Sequence, residues 1–226
     1  MNFQRIRALT LDLDDTLWPV WPAIERAERT LHDWLSQHAV ATATRFDVPA
    51  LRALRDDVAR RYPQWAHDLS ALRRESLRAA LQEAGDDAAL AEPAFEVFFT
   101  ARHQVDLFPD VLEALRRLSS AYPLLALTNG NADLARVGLA HSFRGALSAR
   151  EFGVGKPDPR IFVEACRRLG CEAADVLHIG DDWALDVEGA RAAGLQTLWV
   201  QRRPAPGEAV AGSVANLLAV ADLLGC

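Results

Sequence analysis

Three carboxylates follow the first short apolar segment of the chain. The segment Ala8–Leu11 is long enough for a buried strand, and Asp12, Asp14 and Asp15 come directly after it. An unpaired carboxylate is very costly to bury, so these side chains must lie at the end of the strand. In open α/β sheets, ligands bind at the carboxyl ends of the strands. The residues therefore indicate either an acidic turn or part of a site that binds a cation or ligand.

Two later apolar segments also end in polar residues. Leu124–Leu127 leads into Thr128–Asn129, and Val176–Ile179 leads into Gly180–Asp182, while Lys156 precedes a helical pattern. If these strands are parallel, their polar ends meet in one cleft. Carboxylates at such density repel each other, and a hard divalent cation relieves that repulsion. Mg²⁺ is the usual cation where a phosphate completes the coordination shell.

Phosphoryl transfer would use each of these groups. An Asp beside a metal-bound phosphoryl group can attack phosphorus and form an aspartyl-phosphate. A second carboxylate can protonate the leaving alkoxide and later deprotonate the hydrolytic water. Lys156 is the single lysine of the chain, since the other 24 of the 25 basic residues are arginines. An ammonium is compact and fits between close oxygens, whereas a guanidinium is a wide planar fork.

Composition excludes several classes of protein. With 226 residues, half of them hydrophobic, the chain can form one large domain or two small ones. A net charge of −6 and the absence of a basic run argue against a nucleic-acid partner. We find no signal peptide and no apolar stretch near the ~18 residues of a membrane span. Three cysteines without a CxxC pair favour reduced thiols, so we expect a cytoplasmic protein with no membrane contact.

The hydrophobic pattern divides the chain into two parts. From about Pro22 to Val105 it predicts four helices, with Pro93 either a kink or a new helix start. From Asp106 onward strands and helices alternate, which predicts a parallel sheet with helices on both faces. The predicted elements are helix 111–120 capped by Asp110, strand 124–127, helix 132–139, strand 146–148, helix 160–169, strand 176–179, helix 184–193, strand 196–200, loop Pro204–Gly207 and helix 214–224.

Four motifs resemble those of the haloacid dehalogenase-like hydrolase superfamily, and they occur in the family's order. Asp12-Leu13-Asp14-Asp15-Thr16 resembles the first motif, DxDxT, and Leu127-Thr128-Asn129-Gly130 the second. Gly155-Lys156-Pro157 resembles the third, and Gly180-Asp181-Asp182 with Asp186 the fourth. The resemblance implies an α/β fold with a Rossmann-like parallel-sheet core, residues 1–16 and 107–226, and an inserted four-helix cap domain, residues 17–106.

The resemblance also implies a role for each motif residue. Asp12 would be the nucleophile and Asp14 the general acid/base, and Mg²⁺ would be bound by the Asp12 carboxylate, the Asp14 backbone carbonyl and Asp181. Thr16 would support the loop and Asp186 would act from outside the metal's ligands. The remaining members are phosphate-binding Thr128, Asn129, Gly130 and Lys156, variable Asp15, and Asp182 as either an outer ligand through water or a helix N-cap.

Within the superfamily, Asp14 favours a phosphatase, because dehalogenases lack the second Asp. Phosphonatases use a cap lysine, which this chain does not have, and phosphomutases stay open. The motifs resemble a bacterial subgroup that acts on FMN and on 5-amino-6-(5-phospho-D-ribitylamino)uracil in riboflavin synthesis. The substrate would be a small phosphate ester, and both monomer and homodimer stay open.

The rival from another class is a phosphorylation-dependent signalling module. Receiver domains also gather Asp, Thr, Lys and an acidic pair at strand ends. They are shorter, their acidic pair precedes the phospho-acceptor, and a four-helix insertion has no role in them.

Other residues have structural interpretations beside functional ones. Trp18 and Trp21 either line a substrate entrance or pack beneath the linker. His178, on a predicted buried strand, is expected to be structural. Arginine pairs at 73–74, 116–117 and 202–203 are expected on exposed faces, although a cap arginine could touch an anionic substrate. The aromatic residues expected in the helical core are Trp34, Trp65, Phe95, Phe98 and Phe99.

Overall fold

The computed structural model describes residues 3–202 and 212–226. The chain forms two compact units, which we call the sheet unit (Met1–Pro19 with Asp106–Cys226) and the helical unit (Val20–Val105). The predicted loop Pro204–Gly207 lies outside the described residues.

The helical unit contains one more helix than the pattern predicts. Its helices are α1 (Val20–His38), α2 (Val40–Arg45), α3 (Val48–Arg61), α4 (Leu69–Ala84) and α5 (Ala91–Arg102). The short α2 is the addition, and Asp86 Oδ2 accepts hydrogen bonds of 2.7 Å from both the backbone N–H and the hydroxyl of Thr42. Pro93 lies in the first turn of α5, where a missing N–H costs little.

Apolar stripes on these helices form one core. Phe95 and Phe98 are buried at its centre, whereas Trp34 and Phe99 pack against its edge. Asp47 begins α3 by accepting the N–H of Ala50 at 2.8 Å. Gly85 ends α4 with φ of +85°, a backbone conformation that glycine adopts readily.

In the part of the chain that the structure describes, the sheet unit contains six strands, all parallel. They are β1 (Ala8–Leu11), β2 (Leu124–Thr128), β3 (Gly145–Ser148), β4 (Val176–Gly180), β5 (Gln196–Val200) and β6 (Ser213–Val214). Their order is β3-β2-β1-β4-β5-β6, so β1 lies between β2 and β4. Thr10 is opposite Leu125 on one side and His178 on the other. The carboxyl ends of the three central strands therefore meet at one edge, and the predicted fold class is confirmed.

Helices follow the strands as the alternating pattern predicts. They are α6 (Val111–Ala121), α7 (Leu134–Val137), α8 (Ala149–Phe152), α9 (Pro159–Leu169), α10 (Gly189–Ala192) and α11 (Leu217–Leu224). Ile161 and Phe162 of α9 are buried in a core cluster that also contains Leu125 and Leu127 of the sheet. None of the described helices has both the length and the apolar character that a membrane crossing requires.

Two local predictions are wrong. Asp110 does not cap α6, because its Oδ2 accepts the N–H of Leu217 at the start of α11 at 2.7 Å. The predicted helix 184–193 begins instead as a π-helical segment, Trp183–Glu188, and only its last part is α10. Both corrections affect residues near the strand ends.

Candidate active site

Asp12 extends the central strand into the site. Its backbone N–H donates to the carbonyl of Ile179 at 2.9 Å, so the residue continues the ladder between β1 and β4. Its side chain is buried, and Oδ1 accepts a hydrogen bond of 2.6 Å from Nζ of Lys156. The β1–β4 pairing thus fixes the position of this carboxylate.

Lys156 joins two carboxylates through one buried ammonium. Its Nζ lies 2.6 Å from Oδ1 of Asp12 and 2.6 Å from Oδ1 of Asp186, and the residue is 5% exposed. Burial alone would lower the pKa of Lys156, but the charges of Asp12 and Asp186 outweigh it and raise the pKa. The lysine is therefore a permanent cation.

His178 supports Asp186 from beneath the sheet edge. Its Nε2 lies 3.0 Å from Oδ1 of Asp186, and its Nδ1 lies 2.8 Å from Oγ1 of Thr10. Burial lowers the pKa of His178, which favours a neutral ring that donates from Nε2 and accepts the Thr10 hydroxyl at Nδ1. Burial opposes ionisation of Asp186, but the Lys156 charge and the His178 hydrogen bond outweigh it and lower its pKa.

The π-helical segment and a glycine bring Asp186 to this place. Both N–H groups of Asp186 and Val187 donate to the carbonyl of Asp182, at 2.9 and 3.3 Å. Asp186 Oδ2 accepts the backbone N–H of Asp182 at 3.0 Å. A Cβ on Gly180 would lie 2.3 Å from Asp186 Oδ2, so the contact needs glycine at that position.

Three carboxylates lie close together around the Lys156 ammonium, which bonds two of them. One oxygen each of Asp12, Asp181 and Asp186 lie within 4.8 Å of one another. Burial, and next the charge of Asp186, raise the pKa of Asp181 to about 6, although Thr16 Oγ1 donates to its Oδ1 at 3.1 Å. Burial likewise raises the pKa of Asp12 despite its contact with Lys156. Negative charge therefore exceeds positive charge among these groups.

This donor set suits a hard divalent cation. Both oxygens of Asp186 are engaged, by Lys156, His178 and the Asp182 N–H, so Asp12 and Asp181 are the carboxylates suited to bind metal. Oxygen ligands at the open end of a parallel sheet are the type that Mg²⁺ prefers. A cation there would also offset the burial and the carboxylate repulsion that raise the two pKa values.

Asn129 contacts the backbone on either side of Lys156. Its Oδ1 accepts the Lys156 N–H at 2.7 Å, and its Nδ2 donates to the Lys156 carbonyl at 2.8 Å. A Cβ on Gly155 would lie 2.5 Å from Asn129 Oδ1, so glycine permits this approach. The second motif thus positions the third. Nearby, the buried hydroxyl of Thr128 accepts the N–H of Gly130 at 2.9 Å.

The loop after β1 folds back at Asp14. Trp18 is fully buried, and its indole Nε1 donates to Asp14 Oδ1 at 2.8 Å. Asp15 between them has φ of +59°, a left-handed conformation that Asp tolerates better than most residues. Of the two interpretations of Trp18, the burial of its ring favours the packing role. Trp21 belongs to the helical unit and is half exposed.

Arg202 contacts the same loop from outside. Its guanidinium donates to the Thr16 carbonyl at 2.6 and 3.0 Å and to Asp110 Oδ1 at 2.7 Å. Arg202 and Arg73 are both largely buried, so the expectation of exposed faces is wrong for these two. Asp182 is the N-cap of the π-helical segment, because its Oδ1 accepts the Leu185 N–H at 2.8 Å.

Hydrogen bonds join most of the predicted site residues directly. Asp12, Thr16, Lys156, Asp181 and Asp186 form one connected network. The sequence analysis does not find the contributions of Thr10 and His178 to it, nor the bond from Trp18. The position of His178 just before the fourth motif is a signal, but only the pairing of β1 with β4 reveals its partner Thr10.

Comparison with known proteins assigns the family. A family model of haloacid dehalogenase-like hydrolases matches residues 6–194. The chain belongs to this family. It is 34% identical over 208 residues to a 5-amino-6-(5-phospho-D-ribitylamino)uracil phosphatase of Escherichia coli, covering 90% of this chain and 86% of that protein. It is also 38% identical to a phosphoserine phosphatase of Thermus thermophilus, covering 73% of this chain and 65% of the relative.

Solved structures of this hydrolase family share the fold. A crystal structure described as a 2-haloacid dehalogenase from Pseudomonas syringae superposes with a TM-score of 0.88 and 40% identity, covering 97% of this chain and 98% of that one. Phosphatases and a dehalogenase therefore both stand among the similar proteins, and the choice between them depends on the site.

Proposed function

We propose that this hydrolase is a Mg²⁺-dependent phosphomonoesterase that acts through an aspartyl-phosphate. The observation that carries the proposal is the buried Asp12 carboxylate, paired with Lys156, close to Asp181, and followed two residues later by a second carboxylate. A nucleophile, a fixed cation, a metal site and an acid/base are the groups that this reaction needs.

Each residue has a defined part in the proposed reaction. Asp12 attacks phosphorus, and Asp14 protonates the leaving alkoxide and then deprotonates the hydrolytic water. Lys156 offsets negative charge on the phosphoryl oxygens, and Asn129 positions it. The Thr128 hydroxyl and the backbone at Asn129 and Gly130 bind the phosphoryl group. The residues with these parts lie at the ends of β1 and β2 and in the segment before α9.

The cation has a defined place in this scheme. The Asp12 carboxylate, the Asp14 backbone carbonyl and Asp181 would bind it, and it would offset the repulsion between the anionic nucleophile and the anionic substrate. Thr16 and Asp186 would support these ligands through the hydrogen bonds described above.

The helical unit acts as a cap in this proposal. A cap inserted after the first motif can exclude bulk water and select the substrate. The substrate is a small cytoplasmic phosphate ester. The phosphatase relatives make 5-amino-6-(5-phospho-D-ribitylamino)uracil the first candidate to test and O-phosphoserine the second. The motif resemblance adds FMN as the third.

Dehalogenation of 2-haloacids is the second candidate, because the 40% identical structure carries that description. A leaving halide needs no proton, so a dehalogenase has no use for a second carboxylate at position 14. Here Trp18 holds Asp14 with a direct hydrogen bond, which favours the reaction in which that carboxylate moves protons.

A turnover assay tests both candidates. Purified protein with Mg²⁺ is given p-nitrophenyl phosphate, the three phosphate esters above and 2-chloropropionate. We expect sustained release of phosphate and none of chloride. Asp12→Asn should abolish turnover, whereas Asp15→Asn, which tolerates the same left-handed backbone, should retain most of it. Chloride release, or a single stable phosphorylation without turnover, would overturn the proposal.

A further inference from the structure

One buried carboxylate in the helical unit is surrounded by three arginines. Glu28 of α1 is 4% exposed, and Arg52 and Arg55 of α3 and Arg73 of α4 surround it. Only Arg52 makes a hydrogen bond to it, 2.5 Å from Nη2 to Oε2. The nearest nitrogens of Arg73 and Arg55 lie 3.7 and 3.9 Å from Oε1, beyond hydrogen-bond distance. We call these four residues the arginine cluster.

Several polar groups of the arginine cluster have no partner. Arg73 is 8% exposed and lies 3.6 Å above the ring of Phe98, yet within the described part of the chain nothing hydrogen-bonds its guanidinium. Among the same described residues, Glu28 Oε1 and Arg52 Nε are buried without a partner. Buried donors are almost always paired in native proteins, so the Arg73 guanidinium and Arg52 Nε indicate a missing acceptor.

At Arg73 the nearby cations outweigh the nearby anions. The charge of Arg55 acts on Arg73 more strongly than that of Glu28, and the charge of Arg52 more strongly than that of Asp56. Asp56 pairs with Arg55 at 3.0 Å, and Glu25 and Glu28 act on Arg52. Burial, and next the charge of Arg55, lower the pKa of Arg73 to about 9. A guanidinium that is buried beside other cations is stabilised by an added anion.

We propose that the arginine cluster binds an oxyanion, a carboxylate or phosphate group, with Arg73 as its main donor. The planar fork of a guanidinium matches two oxygens of either group. Arg52 and Arg55 are about one-third exposed, which leaves the cluster open to solvent. Glu28 holds the three arginines close together, as their central counter-charge. The anion is a free carboxylate or phosphate that binds within the helical unit.

Direct binding tests the site without turnover. Inorganic phosphate is titrated calorimetrically into the protein in EDTA, as wild type, Arg73→Met, Arg52→Met and the control Arg74→Met. Arg74 is the neighbouring arginine, and it pairs with Glu92 at 2.9 Å. We expect about tenfold weaker binding in the first two variants, because each loses a charge-assisted hydrogen bond to the anion. The control should bind phosphate as the wild type does. Equal binding in all four proteins, or none in the wild type, would overturn the proposal.

Tryptophan fluorescence locates the bound anion. The Arg52 guanidinium lies 4.7 Å from the centre of the Trp21 ring, so an anion at the cluster should change Trp21 emission. Trp21→Phe should remove the phosphate-dependent signal while calorimetric binding remains. Circular dichroism checks each fold, and Arg52→Met, whose side chain is more exposed, carries the test if Arg73→Met does not fold. A phosphate-dependent signal that survives in Trp21→Phe would place the anion elsewhere.

Discussion

Trp18 Nε1 and Asp14 Oδ1 are joined by a hydrogen bond of 2.8 Å. The two residues also form an isolated parallel bridge, and the N–H of Asp15 donates to the Trp18 carbonyl at 2.8 Å. The loop that carries both motif carboxylates is thus closed on itself by Trp18. In the proposed reaction, the indole holds the acid/base carboxylate in one orientation.

Replacing Trp18 with Phe should reduce proton transfer more than binding. Phe keeps an aromatic ring, although a smaller one, but the donor to Asp14 is lost, and such a bond to a charged group is worth about 1.5–3 kcal/mol. We expect kcat to fall roughly tenfold or more for alkyl phosphates. The fall should be smaller for p-nitrophenyl phosphate, whose leaving group needs little protonation.

The matched control is Trp34→Phe, which changes a half-buried tryptophan of the helical unit that stacks on His38. Steady-state kinetics of both variants with both substrate types measure the effect. Equal losses for alkyl and aryl phosphates in Trp18→Phe would show that the indole only stabilises the fold.

Lys156 should not be replaceable by arginine. Its Nζ reaches two carboxylate oxygens at 2.6 Å inside a buried site, and a planar guanidinium is too wide for that space. Lys156→Arg should therefore lose most activity. Lys156→Met leaves buried carboxylates without their cation and should lower the free energy of unfolding by about 3–5 kcal/mol. Arg160→Lys, in an exposed pair with Asp158, is the control that should change neither quantity. Steady-state kinetics measure the activity of each variant, and urea unfolding measures its stability. Near-normal kinetics of Lys156→Arg would contradict the role of Lys156 in the site.

The strand-end residues could be predicted because a short apolar segment followed by carboxylates has few alternatives in a parallel sheet. Asp12 and Asp181 follow β1 and β4, and the strand order brings them together. The position of the Asp186 side chain could not be predicted, because a helical sequence pattern does not distinguish a π-helical turn from an α-helical one. The pairing of Asp110 with Leu217 joins residues more than a hundred positions apart, and local capping preferences contain no information on it.

The burial of two arginines could not be predicted from the sequence either. Arg73 and Arg202 are predicted to be exposed, because arginine is rarely buried without a partner. Arg202 is buried because Thr16 and Asp110 offer it oxygens, and Arg73 because Phe98 offers it an aromatic face. None of these three partners is close in sequence to its arginine, so only the folded chain shows why the arginines are buried.

Gly180→Ala should damage the site through one added methyl group. The new Cβ would lie 2.3 Å from Asp186 Oδ2 and 2.7 Å from its Cβ, so Asp186 would have to move away from Lys156 and His178. Overpacking of this kind typically costs about 1–3 kcal/mol. We expect lower stability and weaker activity together.

Gly145→Ala is the control within the same sheet, because its Cβ would meet only Leu125 Cδ1 at an ordinary 3.8 Å. Thermal unfolding and turnover of both variants are compared with wild type. If Gly180→Ala behaved like Gly145→Ala, the close approach of Asp186 to the strand would not be required for the site.

Binding of Mg²⁺ should release protons below neutral pH. Asp181, whose ordinary pKa is 3.8, has a pKa of about 6 before a cation binds, and the cation binds its ionised form. Asp12, the other carboxylate that would bind the cation, also has a raised pKa because it is buried. Apparent affinity should therefore rise most steeply below pH 6, where both carboxylates bind protons, and keep rising more gently above pH 6 until Asp12 is ionised. Thr16→Val removes the hydroxyl that donates to Asp181 and favours its ionised form, so the rise should move to higher pH. Calorimetry at pH 5 to 8, in two buffers of different ionisation enthalpy, counts the protons. A Mg²⁺ affinity that does not change with pH over this range would contradict the prediction. It would show that Asp181 is already ionised before the cation binds and that other groups balance its negative charge.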